Sequence, residues 1–341
     1  MAYKKFDIDI GLMKLVLGKA DKVHCVDNMN YTDYSDFLNP EFIDRKKAEK
    51  LIRFNYFLDN GSVEFVYAPE FHADIYPTTG VWAQSSLATL NSVFTQVGTD
   101  YDSQLLLAEE KTEKGQVAVR YTNSFGGFDF GISDYQGYMK KPSINKMALT
   151  NPTSPTFLNN LNMHFDKVNI IGAELATVKL GINWRSELAY FMTGDSKGSD
   201  ATVANNKVNY IIGGDKDLPI NNVNLNMQVV GEFKMNSDKI KENTLPGFNY
   251  DTDYDSQGKY STTLIITQIS DKYLNEKLKP NVKFYYNVEK HDYIIRPEII
   301  LALNDERILS LSYSNYGGKS DTLFGQFDNN DFIEAKLDVK F

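Results

Sequence analysis

The sequence predicts an all-β protein, a transmembrane antiparallel β-barrel of about fourteen strands, or 16 if the chain is N-terminally truncated. Three observations predict it: apolar and polar residues alternate with period 2 through most of the chain, short turns alternate with long connections, and no run of about 18 apolar residues supplies a spanning helix. The 341 residues carry 36 Lys and Arg against 45 Asp and Glu, a formal charge of −9, with pI ≈ 5.1 and mean hydropathy −0.39. An acidic chain lacks the basic footprint that phosphate binding needs, so nucleic acid is not expected as a partner. The single cysteine, Cys25, excludes an internal disulfide, a cysteine-built metal site and a thiol redox pair. Aromatic residues reach 13%. A barrel wet on one face of each strand combines a soluble-looking hydropathy with such an aromatic content.

The last strand is the clearest element. Ile333, Ala335, Leu337, Val339 and Phe341 share one face, while Glu334, Lys336, Asp338 and Lys340 share the other, a division that a strand presents and a helix does not. Upstream, Val223, Leu225, Met227, Val229 and Phe233 oppose Asn224, Asn226, Gln228, Glu232 and Lys234. Leu180, Ile182, Trp184, Ser186, Leu188, Tyr190 and Met192 oppose Gly181, Asn183, Arg185, Glu187, Ala189, Phe191 and Thr193, and Val282, Phe284, Tyr286 and Val288 oppose Lys283, Tyr285, Asn287 and Glu289.

Taken in order, the strands expected are residues 8–18, 49–58, 62–68, 115–124, 127–138, 164–176, 178–193, 206–215, 221–234, 259–271, 278–289, 291–303, 306–315 and 331–341. Most approach the ~9–11 residues that a tilted membrane strand requires. The connections alternate in the same register. Long stretches follow the first, third, fifth, seventh, ninth and thirteenth strands, whereas Asp59-Asn60-Gly61-Ser62, Phe125-Gly126-Gly127 and the segment near 177 read as tight reversals. Glu289-Lys290-His291-Asp292 is a short turn where a long loop is due. Pro297 removes a ladder donor inside a strand, which suggests a bulge or a strand end. Leu264, Ile265 and Ile266 in succession leave the facing of 259–271 unreadable. Met1 to Ile10 contains no apolar signal-peptide core, which fits a mature form or a truncated reading frame with a strand pair missing upstream. No linker divides the chain, so residues 1–341 are expected to form one barrel domain.

The terminal strand ending in Phe341 resembles the signature by which bacterial outer-membrane β-barrels are recognised by the barrel-assembly machinery, with Val339 where many members carry an aromatic. Leu17-Gly18-Lys19-Ala20-Asp21, Asp36-Phe37-Leu38-Asn39-Pro40 and Asp44-Arg45-Lys46 resemble the glycine-ended strand and Asn-Pro loop of porin-like families that include alginate exporters. The resemblance implies a channel in the bacterial outer membrane, in contact with its lipid, and names no cargo.

With apolar faces toward lipid, the lumen would be lined by Arg53, Glu64, Arg120, Asp129, Arg185, Glu187, Glu232, Lys234, Lys283, Arg296, Glu298, Glu334, Lys336 and Asp338. Charged rings of this kind set the selectivity of pores, and the same residues as paired charges would simply brace the wall. The expected function is therefore passive or facilitated diffusion of small polar or anionic solutes. The alternatives are a surface adhesin or binding protein using the long loops, and a soluble sandwich or solenoid. Leu87, Leu90, Val93, Phe94 and Val97 have helical spacing, so residues 83–97 are expected as a helix that folds into the mouth and narrows it, or caps it from outside. Asp251, Asp253 and Asp255 alternate as in calcium loops but lack the following Gly and distal Glu, and read as a solvated acidic loop. His24, His72, His164 and His291 are scattered, and no GxSxG, P-loop or GxGxxG occurs. No cofactor, no metal and no enzyme activity are expected, although a Ser-His or Asp-His grouping drawn from separate strands leaves no trace in spacing.

Overall fold

The fourteen strands form one antiparallel sheet in which each pairs with its neighbours in sequence. The computed structural model describes residues 5–35, 42–144, 161–240, 244–245, 248–249 and 251–340. The strands are β1 (Phe6–Met13), β2 (Glu49–Phe57), β3 (Gly61–Ala68), β4 (Gln116–Phe125), β5 (Phe128–Tyr138), β6 (Lys167–Lys179), β7 (Ile182–Thr193), β8 (Lys207–Asp217), β9 (Asn224–Lys234), β10 (Ser261–Ser270), β11 (Leu278–Asn287), β12 (Tyr293–Ala302), β13 (Arg307–Gly317) and β14 (Phe332–Val339). The fold is all-β, as the alternation predicts, and the long connections gather at one end. Tight turns at the other end use the left-handed conformation that two-residue hairpins demand: φ is 59° and 81° at Gly126 and Gly127, and 58° and 67° at Leu180 and Gly181.

The sheet curls around a common interior. Leu51 of β2, Ile170 of β6 and Ile211 of β8 all pack on the segment 14–35, and residues of that segment meet Leu264, Arg296 and Tyr316 of β10, β12 and β13 across a cavity. Outward positions form an apolar belt that runs through Ile10, Phe54, Phe65, Ile132, Leu188, Ile212, Ile299 and Leu311. Water-facing patches on monomers rarely exceed a few hundred Å²; a belt crossing every strand is the surface of a membrane-spanning barrel. Among the described residues no ladder joins β1 to β14, and Ile10 and Ile333 at these edges are 76% and 73% exposed.

Three expectations change in detail. The first strand ends at Met13 instead of residue 18. Outward apolar residues occupy even positions at Ile8, Ile10 and Leu12, but Lys14 follows and the apolar positions move to odd numbers at Leu15 and Leu17, so the chain leaves the wall and turns inward. Pro297 causes neither a bulge nor a strand end. The β12–β13 register is the same on both sides, Ile295↔Asn315 and Glu298↔Ser312, and only the rungs at Arg296 and Pro297 are lost. The facing of β10 is unreadable because both its faces are apolar: Ile265 and Ile269 point outward, while Leu264 and Ile266 line an internal cavity.

The helix expected over 83–97 forms as α1 (Ser85–Gln96), followed by α2 (Tyr101–Lys111). Asp100 caps α2 by accepting from the Ser103 amide at 2.7 Å. Leu87 and Phe94 bury against Phe71, Tyr138, Met163 and Phe165, all at the loop end of the barrel. Trp82, just before α1, packs on Tyr316, Phe327 and Phe332. The helix therefore roofs the mouth and does not enter it, because its apolar face finds apolar partners among the loops and none on the charged wall below.

Candidate functional site

The segment that occupies the interior is residues 14–35, in the first long connection. Its apolar side chains, Leu15, Leu17, Cys25, Val26 and Met29, are buried against Leu51, Val66, Ala118, Val168, Ala189 and Phe191 of the wall. Its backbone is held mainly by Glu187 of β7, whose side chain is 0% exposed. One carboxylate oxygen accepts from the amides of Lys19 and Ala20 at 2.9 and 2.8 Å and meets His24 Nδ1 at 2.9 Å. The other accepts from the Cys25 amide at 2.8 Å. A carboxylate so supplied with donors sits in a backbone nest. Gly18 is required here: its φ is +113°, and a Cβ would lie 2.2 Å from Glu187 Oε1. Gly172 of β6 gives the same segment room, since a Cβ there would lie 2.8 Å from Val26.

Polar side chains fix the rest. Asn226 Nδ2 donates to Asp21 at 2.5 Å, and the Gln228 carboxamide oxygen accepts from the amides of Asp21 and Lys22 at 3.1 Å. Asn30 ties both ends of the connection, accepting from Leu15 N and donating to the carbonyls of Met13 and Lys47 at 2.8 and 2.9 Å. Lys46 and Asp27 form an ion pair with side chains 1% and 0% exposed. Burial pushes the Asp27 carboxyl up, and Lys46 opposes that shift. Burial also pushes the Cys25 thiol up, which marks an inert thiol and not a nucleophile.

The inward charges predicted from the alternation are arranged mostly in pairs. Asp9, Arg53, Glu64, Arg120 and Glu174 alternate in sign across β1 to β6. Arg53 Nε donates to Glu64 at 2.5 Å, and Arg120 Nε donates to Glu174 at 2.8 Å. Arg53 also reaches Asp9 at 3.6 Å, and Arg120 reaches Glu64 at 3.7 Å. Arg120 and Glu174 meet across β5 because Gly131 lies between them, where a Cβ would stand 2.1 Å from the carboxylate. Arg185 pairs with Asp215 at 2.6 Å, Lys207 with Glu232 at 2.6 Å and Lys234 with Asp253 at 2.9 Å. Arg296 pairs with Glu334 across β13 at 2.5 Å, and Glu298 accepts from Asn281 at 2.8 Å. Lys283 is buried on the same face of β11. Asp129, bonded to Ser124, and the Lys336–Asp338 pair at 3.1 Å are exposed near the turn end and at the β14 edge.

Two spaces remain beside the inner segment. One, about 400 Å³, is lined by Lys140, Lys141, Lys207 and Lys234 together with Asn28, Asn205, Asn209, Tyr34 and Tyr76. Lys207 and Lys234 are paired as above, and Lys140 donates to Gln116 at 3.2 Å and lies over the Phe71 ring. Among the described residues no carboxylate lies within ion-pair distance of Lys141. Desolvation of its ammonium, with Lys234 and Lys207 nearby, holds Lys141 below the ordinary range against the opposing pull of Asp253 and Glu232, although the residue as a whole is exposed. Asp74, also lining this space, accepts from the Thr32 amide at 2.7 Å, and burial raises its carboxyl to about 6. The other space, about 260 Å³, lies between the segment and β10–β13 and is mainly apolar.

The remaining candidates do not converge. Asp253 and Asp255 are taken by Lys234 and Lys290 respectively. His24, His72, His164 and His291 lie beside Glu187, Glu49, Asp166 and Tyr286, in separate places. A serine, a histidine and an aspartate do meet at the loop end, yet Asp166 stands between the others: Ser143 Oγ donates to it at 2.7 Å, and His164 Nε2 lies 3.2 Å from it. Ser143 and His164 face each other across a two-residue backbone ladder, but the buried Ser143 hydroxyl is not bonded to the imidazole, so the trio clasps two loops and does not activate a hydroxyl. Sequence reasoning missed Asp27, Lys46, Asp74, Lys140 and Lys141. The available signal for the inner segment was the change of alternation phase between Leu12 and Leu15. Phe341 and the Asp36–Pro40 motif lie outside the described residues.

No family model and no curated protein matches the chain. Among solved structures, it is similar to the crystal structure of the Salmonella typhi outer membrane phospholipase (OMPLA) dimer with bound calcium, at 12% identity over 68% of this chain and 81% of that chain, with a TM-score of 0.23. That structure is of an enzyme, and the expectation that this chain has no enzyme activity is corrected accordingly. At so low a TM-score neither the phospholipase activity nor the calcium is carried across. The barrel architecture anticipated by the resemblance agrees with the sheet described above, and membership of a porin or alginate-exporter family is left unmatched.

Proposed function

We propose that the chain is an outer-membrane channel for passive or facilitated diffusion of small polar or anionic solutes, narrowed from within by residues 14–35. The observation that carries this reading is the 400 Å³ space beside that segment, lined by four lysines, by the carboxylates of Asp27, Asp74, Glu232 and Asp253, and by several amides. An interior serving only to brace the wall would be filled; this one keeps a polar volume that Lys141, an exposed residue, helps to line. In this reading the fourteen inward charges named above line the path and set its field, and the apolar belt meets outer-membrane lipid. The strand ending in Phe341 would be the element offered to the barrel-assembly machinery. Reversal potentials in planar bilayers test the proposal. The expected result is a preference for anions that falls when Lys141 is replaced in Lys141→Gln, and a preference unmoved by that change, or no conductance at all, contradicts it.

A second reading is a surface adhesin or binding protein, favoured by the roof that α1, Trp82 and the 318–331 loop build over the mouth, where Ser85 N donates to Gln326 at 2.9 Å. Liposome swelling in small sugars separates the two, because a permanently closed barrel admits none.

A further inference from the structure

We infer that the 400 Å³ space is a binding site for a small zwitterion, one molecule of amino-acid size that carries both an ammonium and a carboxylate. The inference deepens the channel reading and rests on it for the part that the bound solute plays in passage.

The support is the balance of charges that line the space. Lys207 is paired with Glu232, Lys234 with Asp253 and Asp27 with Lys46, and His24 bonds Glu187. Lys140 reaches Glu49 at 3.8 Å and is held further by the His72 carbonyl and Gln116. Two charges are left over, one of each sign. Asp74 accepts from the Thr32 amide, and among the described residues no cation lies within ion-pair distance of it. Lys141 has no carboxylate within that distance among the same residues, and it is exposed.

The two start from neighbouring backbone positions, because the Asp74 amide donates to the Lys140 carbonyl at 3.1 Å. From there they diverge. The Asp74 carboxylate turns toward Thr32 and Tyr76, whose ring stacks on Tyr34 with centroids 4.7 Å apart. Lys141 lies among the charges of the Lys207–Glu232 and Lys234–Asp253 pairs. Both therefore border one volume without meeting. A simple anion would answer Lys141 and leave Asp74 unanswered, and a simple cation would do the reverse. A zwitterion answers both. Its ammonium would sit at Asp74 beside the tyrosine rings, where a cation is also favoured, and its carboxylate at Lys141, each through a charge-assisted hydrogen bond. The volume falls within the ~300–1,000 Å³ of small-molecule sites.

Calorimetric titration of the full chain in lipid nanodiscs tests the inference with probes on one carbon skeleton. L-norvaline and its isomer 5-aminopentanoate carry both charges; pentanoate and pentylamine carry one each. The expected result is saturable binding of at least one zwitterion, with each single-charge probe weaker by about tenfold or more. Norvaline the tighter assigns an α-amino acid, and 5-aminopentanoate the tighter assigns a wider charge separation. Lys141→Gln should weaken the zwitterion about tenfold and leave pentylamine unmoved, and Asp74→Asn should weaken it as much and leave pentanoate unmoved. Because Lys141 is exposed and unpaired, its variant decides the matter if Asp74→Asn does not fold. Conductance of the same protein in planar bilayers keeps the two readings apart. Conductance without zwitterion binding overturns the inference and leaves the channel standing, whereas zwitterion binding without conductance upholds the site and removes the channel. No saturable binding of either zwitterion, a single-charge probe within about tenfold of the better one, or undiminished binding in Lys141→Gln overturns the inference.

Discussion

The wall from β1 to β9 and the wall from β10 to β14 enclose one interior and differ in how they meet residues 14–35. The first faces the backbone of residues 14–35 and carries groups that accept from it or brace around it: Glu187, Gln228, and the alternating series from Asp9 to Glu174. The second faces an unfilled space and turns Leu264, Ile266 and Ile294 toward it. The contrast shows that the inner face of a barrel strand is not polar by default. It is polar where it must satisfy buried amides and charges, and apolar where it packs on apolar side chains of the inner segment or borders the mainly apolar space.

Substitutions break this comparison in a graded order. The largest effect is expected from Glu187→Ala, which leaves the amides of Lys19, Ala20 and Cys25 without their acceptor. We expect a loss of about 3–5 kcal/mol in urea unfolding and a larger, noisier conductance as the segment loosens. Arg120→Met comes next, stranding Glu174 on the inner wall while Glu64 keeps Arg53, at a cost of about 2–4 kcal/mol, read by the same unfolding assay. In the other half, Ile266→Ala removes contacts at the rim of an existing space, so its cost should sit near about 2 kcal/mol, at the low end for buried large-to-small changes.

The smallest effect is a pH slope. Burial raises the Asp74 carboxyl to about 6, so between about pH 4 and 6 the folded chain holds a proton that the unfolded chain has released. The sign follows from that difference: stability falls as pH rises through this window and is level above it. Asp74→Asn should flatten the slope, which unfolding midpoints measured at pH 4.5 and 7 would reveal.

Much of the wall was legible in the sequence because period 2 is a local signal: Glu334, Lys336 and Asp338 could be assigned to one face from neighbouring residues alone. The pairing of those charges was less legible, since Arg120 meets Glu174 across an intervening strand through the space left by Gly131. The interior segment was hidden for a related reason. Leu15 and Leu17 continue an apolar run, and only the change from even to odd positions separates wall from lumen. Lys140, Lys141 and Asp74 carried no pattern at all, because two different connections, β3–β4 and β5–β6, bring them together.

In the proposed function residues 14–35 close the barrel from inside, and single-channel conductance tests that closure most directly. Met13 and Glu49 are paired across β1 and β2, so residues 15–46 can be replaced by a short hairpin turn without moving either strand. The native chain is expected to show low or intermittent conductance and the shortened one a large, steady conductance. Equal conductance in the two would contradict that closure.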